Sequence, residues 1–309
     1  DCTLYIINIK IYLLNYLMEN HKKELTEKGY TIFRNLLSEE EVNEYKSEFN
    51  KWLDEVPNLR ELHSMIDFNG IFKHHQVGNQ RFAWLVRTNP KIVNVFKELW
   101  ETDELVTSFD GCCYYPKEYK SQDRYWTHTD QSSRKKGVNC YQSFVSLTNN
   151  VERTLQLYEG SNLLHEDYFE RMNIDEPRDF NVIEIEYIKT ILDSQRILSV
   201  NAGDLVVWES RTFHQNLCGD EDCNEERLVQ YLCYLPKNKE GNDEKERRHR
   251  KRYFETRRTT SHWPYPMNVI PHQPNLYNYY NPDFPIIIDY DSLPLPNLDD
   301  LREKIEELL

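Results

Sequence analysis

Tyr125-Trp126-Thr127-His128-Thr129-Asp130 (residues 125–130) is the stretch on which the reading of this chain turns. Its β-branched and aromatic residues favour a strand, and in a strand His128 and Asp130, two apart, project from one face. An imidazole and a carboxylate on one face can share one metal ion. The segment GDLVVWESRTFHQN (203–216) supplies a third donor, His214, just beyond a hydrophobic strand. Two histidines and one carboxylate gathered on one side of a metal leave the opposite positions open, the arrangement that non-haem Fe(II) chemistry needs. A lone His-X-Asp occurs by chance in many proteins, so its context matters. Thirteen residues after His214, Arg227 opens the strand RLVQYLCYL. A guanidinium on a barrel strand is costly without an anionic partner, and a dicarboxylate such as 2-oxoglutarate, bound to the metal at one end, is such a partner.

Outward from these segments, residues 105–235 read as short strands: LVTSFDG, YWTHTD, CYQSFVSL, RILSV, DLVVW and RLVQYLCYL. Turn-forming residues separate them, as in an antiparallel barrel or sandwich, with one helical insertion near 184–194. The N-terminal third is mostly helical. After a short strand at 29–33, Ser38 with Glu41 forms a capping box, and Val42, Tyr45, Phe49, Trp52, Leu53 and Val56 recur at helical spacing. Asn89-Pro90 begins a second helix that buries Ile92, Val95, Phe96 and Leu99.

The 309 residues carry 38 basic and 52 acidic side chains, a net −14 that repels phosphate, so no nucleic-acid partner is expected. Seven cysteines in no framework spacing point to a reducing, cytoplasmic compartment. Residues 1–17 lack the features of a signal peptide, and no stable membrane span is expected. They read as an upstream extension with the native start at Met18, the rival reading being a weak amphipathic anchor. Residues 237–252 are almost wholly polar and read as an exposed loop or helix. Residues 245–258 hold a local +6 against −20 elsewhere, either a solvated face or a site for an anionic partner. Residues 262–297, with 8 of the 13 prolines, suit an extended wrap, and LDDLREKIEELL a closing helix. Nothing in the sequence specifies an oligomeric state.

In ordered succession, KGYTIFRNLLSEEEVNEYK, SFDGCCYYP, WTHTDQS, CYQSFVSLT, YEGSNLLH, NAGDLVVWESRTFHQN and RRTTSHWP resemble the phytanoyl-CoA dioxygenase family of Fe(II)/2-oxoglutarate-dependent oxygenases, over residues 27–270. The resemblance implies a mainly β fold, a double-stranded β-helix (a cupin-like jelly roll), with flanking helices. It makes 18–261 the oxygenase domain, with a helical part at 18–104, a β core at 105–236 and the basic segment at 237–258; 262–309 is the wrap. It also implies that His128, Asp130 and His214 hold iron, that Arg227 takes 2-oxoglutarate, and that Gln142 lies near that cosubstrate. Asn162 stands where the family's Gly-Ser-His motif has histidine, which bears on packing or substrate contacts and not on the metal. Asp130, the carboxylate that 2-oxoglutarate halogenases lack, favours hydroxylation.

The reaction expected is hydroxylation of a small organic molecule with O2, yielding succinate and CO2. Two rival readings are a non-catalytic metal-binding or interaction protein on the same fold and a hydroxylase of protein or nucleic acid. Arg211 suits either a cosubstrate contact or a structural ion pair. Trp126, Tyr125 and Trp208 suit either the site wall or the core. Cys218 and Cys223 offer too few spaced ligands for zinc. Cys112 and Cys113, adjacent on a strand, face opposite ways as small core residues. His74, His75 and His262 have no spacing that demands chemistry.

Overall fold

The structure, a computed structural model, describes residues 16–60, 62, 69–120, 123–274 and 287–309. Residues 16–28 form helix α1, and β1 (Tyr30–Phe33) follows. Helix α2 (Glu39–Glu55) starts where the sequence places it: Ser38 Oγ accepts from Glu41 N while Glu41 Oε2 accepts from Ser38 N, the reciprocal pairing of a capping box. After β2 (Ile71–Phe72) come α3 (Arg81–Arg87) and α4 (Pro90–Trp100), the latter capped by Asn89. The apolar positions expected of α2 and α4 are all buried.

The β core then runs through β3 (Leu105–Thr107), β4 (Cys112–Tyr115), β5 (His128–Thr129), β6 (Tyr141–Ser146), β7 (Leu155–Tyr158), β8 (Asn181–Val182), β9 (Gln195–Ile197), β10 (Leu205–Glu209), β11 (His214–Asn216) and β12 (Arg227–Pro236). Two antiparallel sheets result. The larger has the order β1-β10-β6-β12-β4-β2, with β3 also on β12, and the smaller the order β8-β5-β11-β7-β9. This is the jelly-roll arrangement expected, with helices on the outer face of the large sheet.

Period-2 alternation sorts the strands between two cores. Cys113, Phe144, Val206, Trp208 and Val229 point between the sheets. Their neighbours Cys112, Val145, Leu205, Val207 and Leu228 point outward, against Phe49, Trp52, Phe82 and Phe96 of the helices. Burial on both faces explains why DLVVW reads as an unbroken apolar run. Helical insertion occurs at His165–Arg171 and at Ile185–Ile188, the second continuing as a 3-10 turn to Ser194.

The basic segment is a helix, Glu244–Glu255, but it is not only a solvated face. Arg250 is fully buried and donates to the carbonyls of Pro264 and Leu309 and to Asn242 Oδ1. The reason is tertiary: the chain end and the 262–267 wrap close over this one arginine. The closing helix forms at Arg302–Glu307, and Thr107 N bonds to Leu308 O, so the terminus covers the edge of β3. Among the described residues no helix is long and apolar enough to cross a membrane. The expectation for residues 1–17 falls almost wholly outside the described residues.

Candidate metal centre and its cavity

Strand pairing assembles the three donors. β11 lies beside β5 with His214 directly opposite His128, and the ring centroids are 4.3 Å apart. Asp130 follows β5, its N–H held by the Ser210 carbonyl. One donor atom from each of His128, Asp130 and His214 falls within 4.8 Å of the other two, and all three residues are buried. Asp130 Oδ2 is 3.4 Å from Nε2 of both histidines.

The ring tautomers are set locally. His128 Nδ1 donates to the Trp126 carbonyl at 3.0 Å, and His214 Nδ1 to the Thr212 carbonyl at 2.8 Å. Each Nε2 therefore faces the carboxylate as the nitrogen left to ligate a metal. Burial works against the Asp130 charge, but the adjacent His128 and His214 rings outweigh it and hold the carboxyl well below its usual range. Burial, followed by the His128 charge, lowers the pKa of His214, which favours the neutral ligating form. Two imidazoles and a carboxylate suit Fe(II), and fit no closed tetrahedral zinc site.

Gln142, on β6, donates from Nε2 to Asp130 Oδ2 at 2.9 Å. Its Oε1 is buried and has no partner among the described residues. Arg227 is fully buried at the start of β12. Its guanidinium lies 5.6 Å from the Phe144 ring centre, and its one weak bond runs to the Thr154 carbonyl at 3.4 Å. Nε and Nη2 have no partner among the described residues. A buried guanidinium with two orphaned donors is costly unless an anion completes it. Tyr231 lies on the same strand face as Arg227, and Tyr231 lines the metal cavity.

That cavity, about 220 Å³, is bounded at the metal end by His128, Asp130, His214 and Gln142, and at the sides by Trp126, Trp208 and Phe180. Trp126 stacks on His128 with centroids 4.8 Å apart. Tyr125 is not a wall residue; its hydroxyl turns away to the Ile183 carbonyl at 2.6 Å. Arg211 pairs with Glu209, which resolves it as a structural ion pair. Asn162 also lies outside the cavity. Its Nδ2 donates to the Thr26 carbonyl and to Glu209 Oε2, both at 3.1 Å, and more weakly to the Leu25 carbonyl, so it ties the end of α1 to the barrel. A Cβ on Gly29 (φ +82°) would come within 2.8 Å of Asn162 Oδ1, so this junction admits only glycine.

His262 departs from expectation, because it lines the cavity together with Thr260 and Ser261. Sequence spacing gave no sign of this. The segment reaches the site by pairing with residue 109: Thr260 N donates to the Phe109 carbonyl and Phe109 N to Thr260 Oγ1. Asp110, equally unmarked in the sequence, lines the same wall.

Known proteins share the family and the fold. A curated protein of Aspergillus versicolor, "Ava biosynthesis cluster protein O", is 28% identical over 240 residues, covering 70% of this chain and 77% of that protein. Two solved structures share the fold. The crystal structure of the epimerase SnoN in complex with Fe3+, alpha ketoglutarate and nogalamycin RO has a TM-score of 0.52 and 19% identity, over 72% of this chain and 84% of that one. The crystal structure of a hypothetical protein, JW0805 from Escherichia coli, has a TM-score of 0.59 and 12% identity, over 79% of this chain and 75% of that one. The model of the Phytanoyl-CoA dioxygenase (PhyH) family matches residues 25–216, and the chain therefore belongs to that family of Fe(II)/2-oxoglutarate-dependent oxygenases.

Proposed function

We propose that this enzyme hydroxylates a small organic molecule, consuming 2-oxoglutarate and O2 and releasing succinate and CO2, with His128, Asp130 and His214 as the iron ligands. The observation that carries this reading is the pairing of a two-histidine, one-carboxylate cluster with a buried guanidinium, two of its nitrogens unpartnered among the described residues, on the strand face that also carries the cavity-lining Tyr231. Bound Fe(II) would supply the O2 activation that couples oxidation of 2-oxoglutarate to hydroxylation of a C–H bond.

The chain's own residues have separate tasks. The Trp126 and Thr212 carbonyls fix the imidazoles so that both Nε2 atoms face one point. Gln142 orients the Asp130 carboxylate. Arg227, with Nε and Nη2 open, would take the distal carboxylate of 2-oxoglutarate by charge-assisted bonds. Trp126, Trp208 and Phe180 exclude water and orient the substrate beside the metal. The relative from Aspergillus versicolor is named for a biosynthesis cluster, which supports a small organic substrate.

The test is succinate release, followed across a metabolite panel with Fe(II), O2 and 2-oxoglutarate. Turnover that vanishes in His128→Ala while the circular dichroism spectrum and melting temperature are kept supports the reading. Undiminished turnover in that variant contradicts it.

A further inference from the structure

Besides the metal donors, the cavity is lined by polar residues that have no task so far. Asp110, Ser261 and His262 face the cavity, with Lys73 beside them. Ser261 Oγ and His262 Nε2 are both shielded from solvent and have no hydrogen-bond partner among the described residues. Unpaired buried polar atoms cost free energy in the empty protein, and so mark a place where a ligand completes the bonding.

This wall is built. Gly78 N bonds to Thr259 Oγ1, Asn79 Nδ2 to the Arg258 carbonyl, Thr260 pairs both ways with Phe109, and Ser261 N donates to the Asn268 carbonyl at 2.7 Å. Trp263, the next residue, is buried against Cys140 and Cys233, with Lys135 Nζ 4.0 Å from its ring centre. His262 is thereby clamped from both sides. Asp110 is fixed as firmly: Ser108 Oγ donates to its carboxyl, and Arg87, fully buried, donates to its backbone carbonyl at 2.6 Å.

We propose that Asp110 and His262 form the substrate-recognition wall of the cavity and hold a hydroxyl group of an uncharged, compact, largely apolar substrate, the hydroxyl donating to the Asp110 carboxyl and accepting from His262 Nε2. The proposal deepens the oxygenase reading, on which it rests for the place of the metal in the same cavity. Charge selects the class. The buried guanidinium of Arg87 already lies beside Asp110, and Lys73 lines the same wall, so a cationic group would meet repulsion. Asp110 and Asp130 disfavour an anion at this point. Burial raises the Asp110 carboxyl, opposed by Arg87, Ser108 and His262. Ile71, Phe180, Ile270 and Leu232 complete an apolar lining. The cavity, about 220 Å³, is below the ~300 Å³ at which pockets for drug-sized ligands begin, which sets the compact size.

The experiment uses the full chain, with and without anaerobic Fe(II) and 2-oxoglutarate. The probes are cyclohexanol and benzyl alcohol against their methyl ethers, with binding followed by ligand-detected NMR. The ethers keep the body and the acceptor but lose the donor. The alcohols are expected to bind at least about tenfold more tightly than the ethers, since a site built around a hydroxyl rejects the analogue that lacks it. Asp110→Ala should reduce the ratio to near one and Asp110→Asn, which keeps an acceptor, should restore part of it, whereas His262→Phe, which removes the donor to the oxygen that both probes keep, should weaken alcohol and ether alike. Equal binding of alcohols and ethers, no binding of either, or a preference that persists in Asp110→Ala would overturn the proposal. The visible iron-to-2-oxoglutarate absorption, recorded in the same samples, separates the two claims. Its absence from the wild type contradicts the oxygenase reading, whereas an Asp110-dependent preference in metal-free protein still supports this wall.

Discussion

His128 and His214 sit directly opposite each other on neighbouring antiparallel strands, and each donates its Nδ1 proton to a carbonyl two residues earlier in the chain, just ahead of its strand. The metal-facing Nε2 atoms are therefore positioned by backbone geometry. Register places the rings side by side, and a one-residue slip of β11 would turn His214 away from Asp130.

Arg227 should trade stability for cosubstrate affinity. In the free protein its guanidinium is buried with Nε and Nη2 unpartnered, so Arg227→Met removes a desolvated charge without creating a void. The melting temperature of this variant without 2-oxoglutarate should be unchanged or higher. Its 2-oxoglutarate affinity should fall by about 2–5 kcal/mol, the usual loss when one partner of a buried charge pair is removed. Calorimetric titration with 2-oxoglutarate alongside thermal melts checks both.

Gln142 is expected to act on the metal through Asp130. Gln142→Leu takes away the bond from Nε2 to Asp130 Oδ2 and leaves the carboxylate free to rotate. Loss of such a partner to a ligand costs roughly 10–100-fold in metal affinity. Competition for Fe(II) with a chelator of known affinity measures the difference.

Asn162→Ala should weaken the fold and spare the metal. Its Nδ2 joins the carbonyl of Thr26 to the buried Glu209, and the substitution leaves both without that donor. A loss of about 1–3 kcal/mol in urea unfolding is expected. Iron affinity should be unchanged, because Asn162 touches none of the three donors.

His165 gives stability a defined pH window. Its ring is buried, Nε2 donates to the Gln131 carbonyl at 2.9 Å, and burial lowers its pKa from 6.5 to about 4. Between those values the unfolded chain holds a proton that the folded protein does not, so stability falls as the pH drops from about 6.5 to about 4, then levels off. At about 1.4 kcal/mol per unit, this one group accounts for up to roughly 3 kcal/mol. His165→Gln, which keeps a donor, should remove that share of the slope in urea unfolding across this range.

Much of the site was legible because it lies in local pattern. The His-X-Asp spacing, the apolar strand ahead of His214 and the position of Arg227 on the next strand survive without tertiary knowledge, and so do the caps at Ser38 and Asn89. The residues missed are those placed by long-range pairing. Leu155–Tyr158 is too short to stand out, and Ile71–Phe72 and Asn181–Val182 are strands only because a longer neighbour pairs with them. His262 reaches the cavity only through the pairing of Thr260 with Phe109, and Asp110 joins it from the turn between β3 and β4. Charge counting took 245–258 as one basic run. Arg250 is drawn out of it by contacts with the chain end that no local window contains.

The central claim is that His128, Asp130 and His214 hold iron and that 2-oxoglutarate binds to it with Arg227 at its far end. Anaerobic titration of the metal-free protein with Fe(II), then with 2-oxoglutarate, tests it most directly. One equivalent of iron should bind, and a visible charge-transfer absorption should appear only when both are present. The absorption should be lost in His128→Ala and need much higher 2-oxoglutarate in Arg227→Met. No absorption in the wild type, or the same absorption in His128→Ala, would contradict the account.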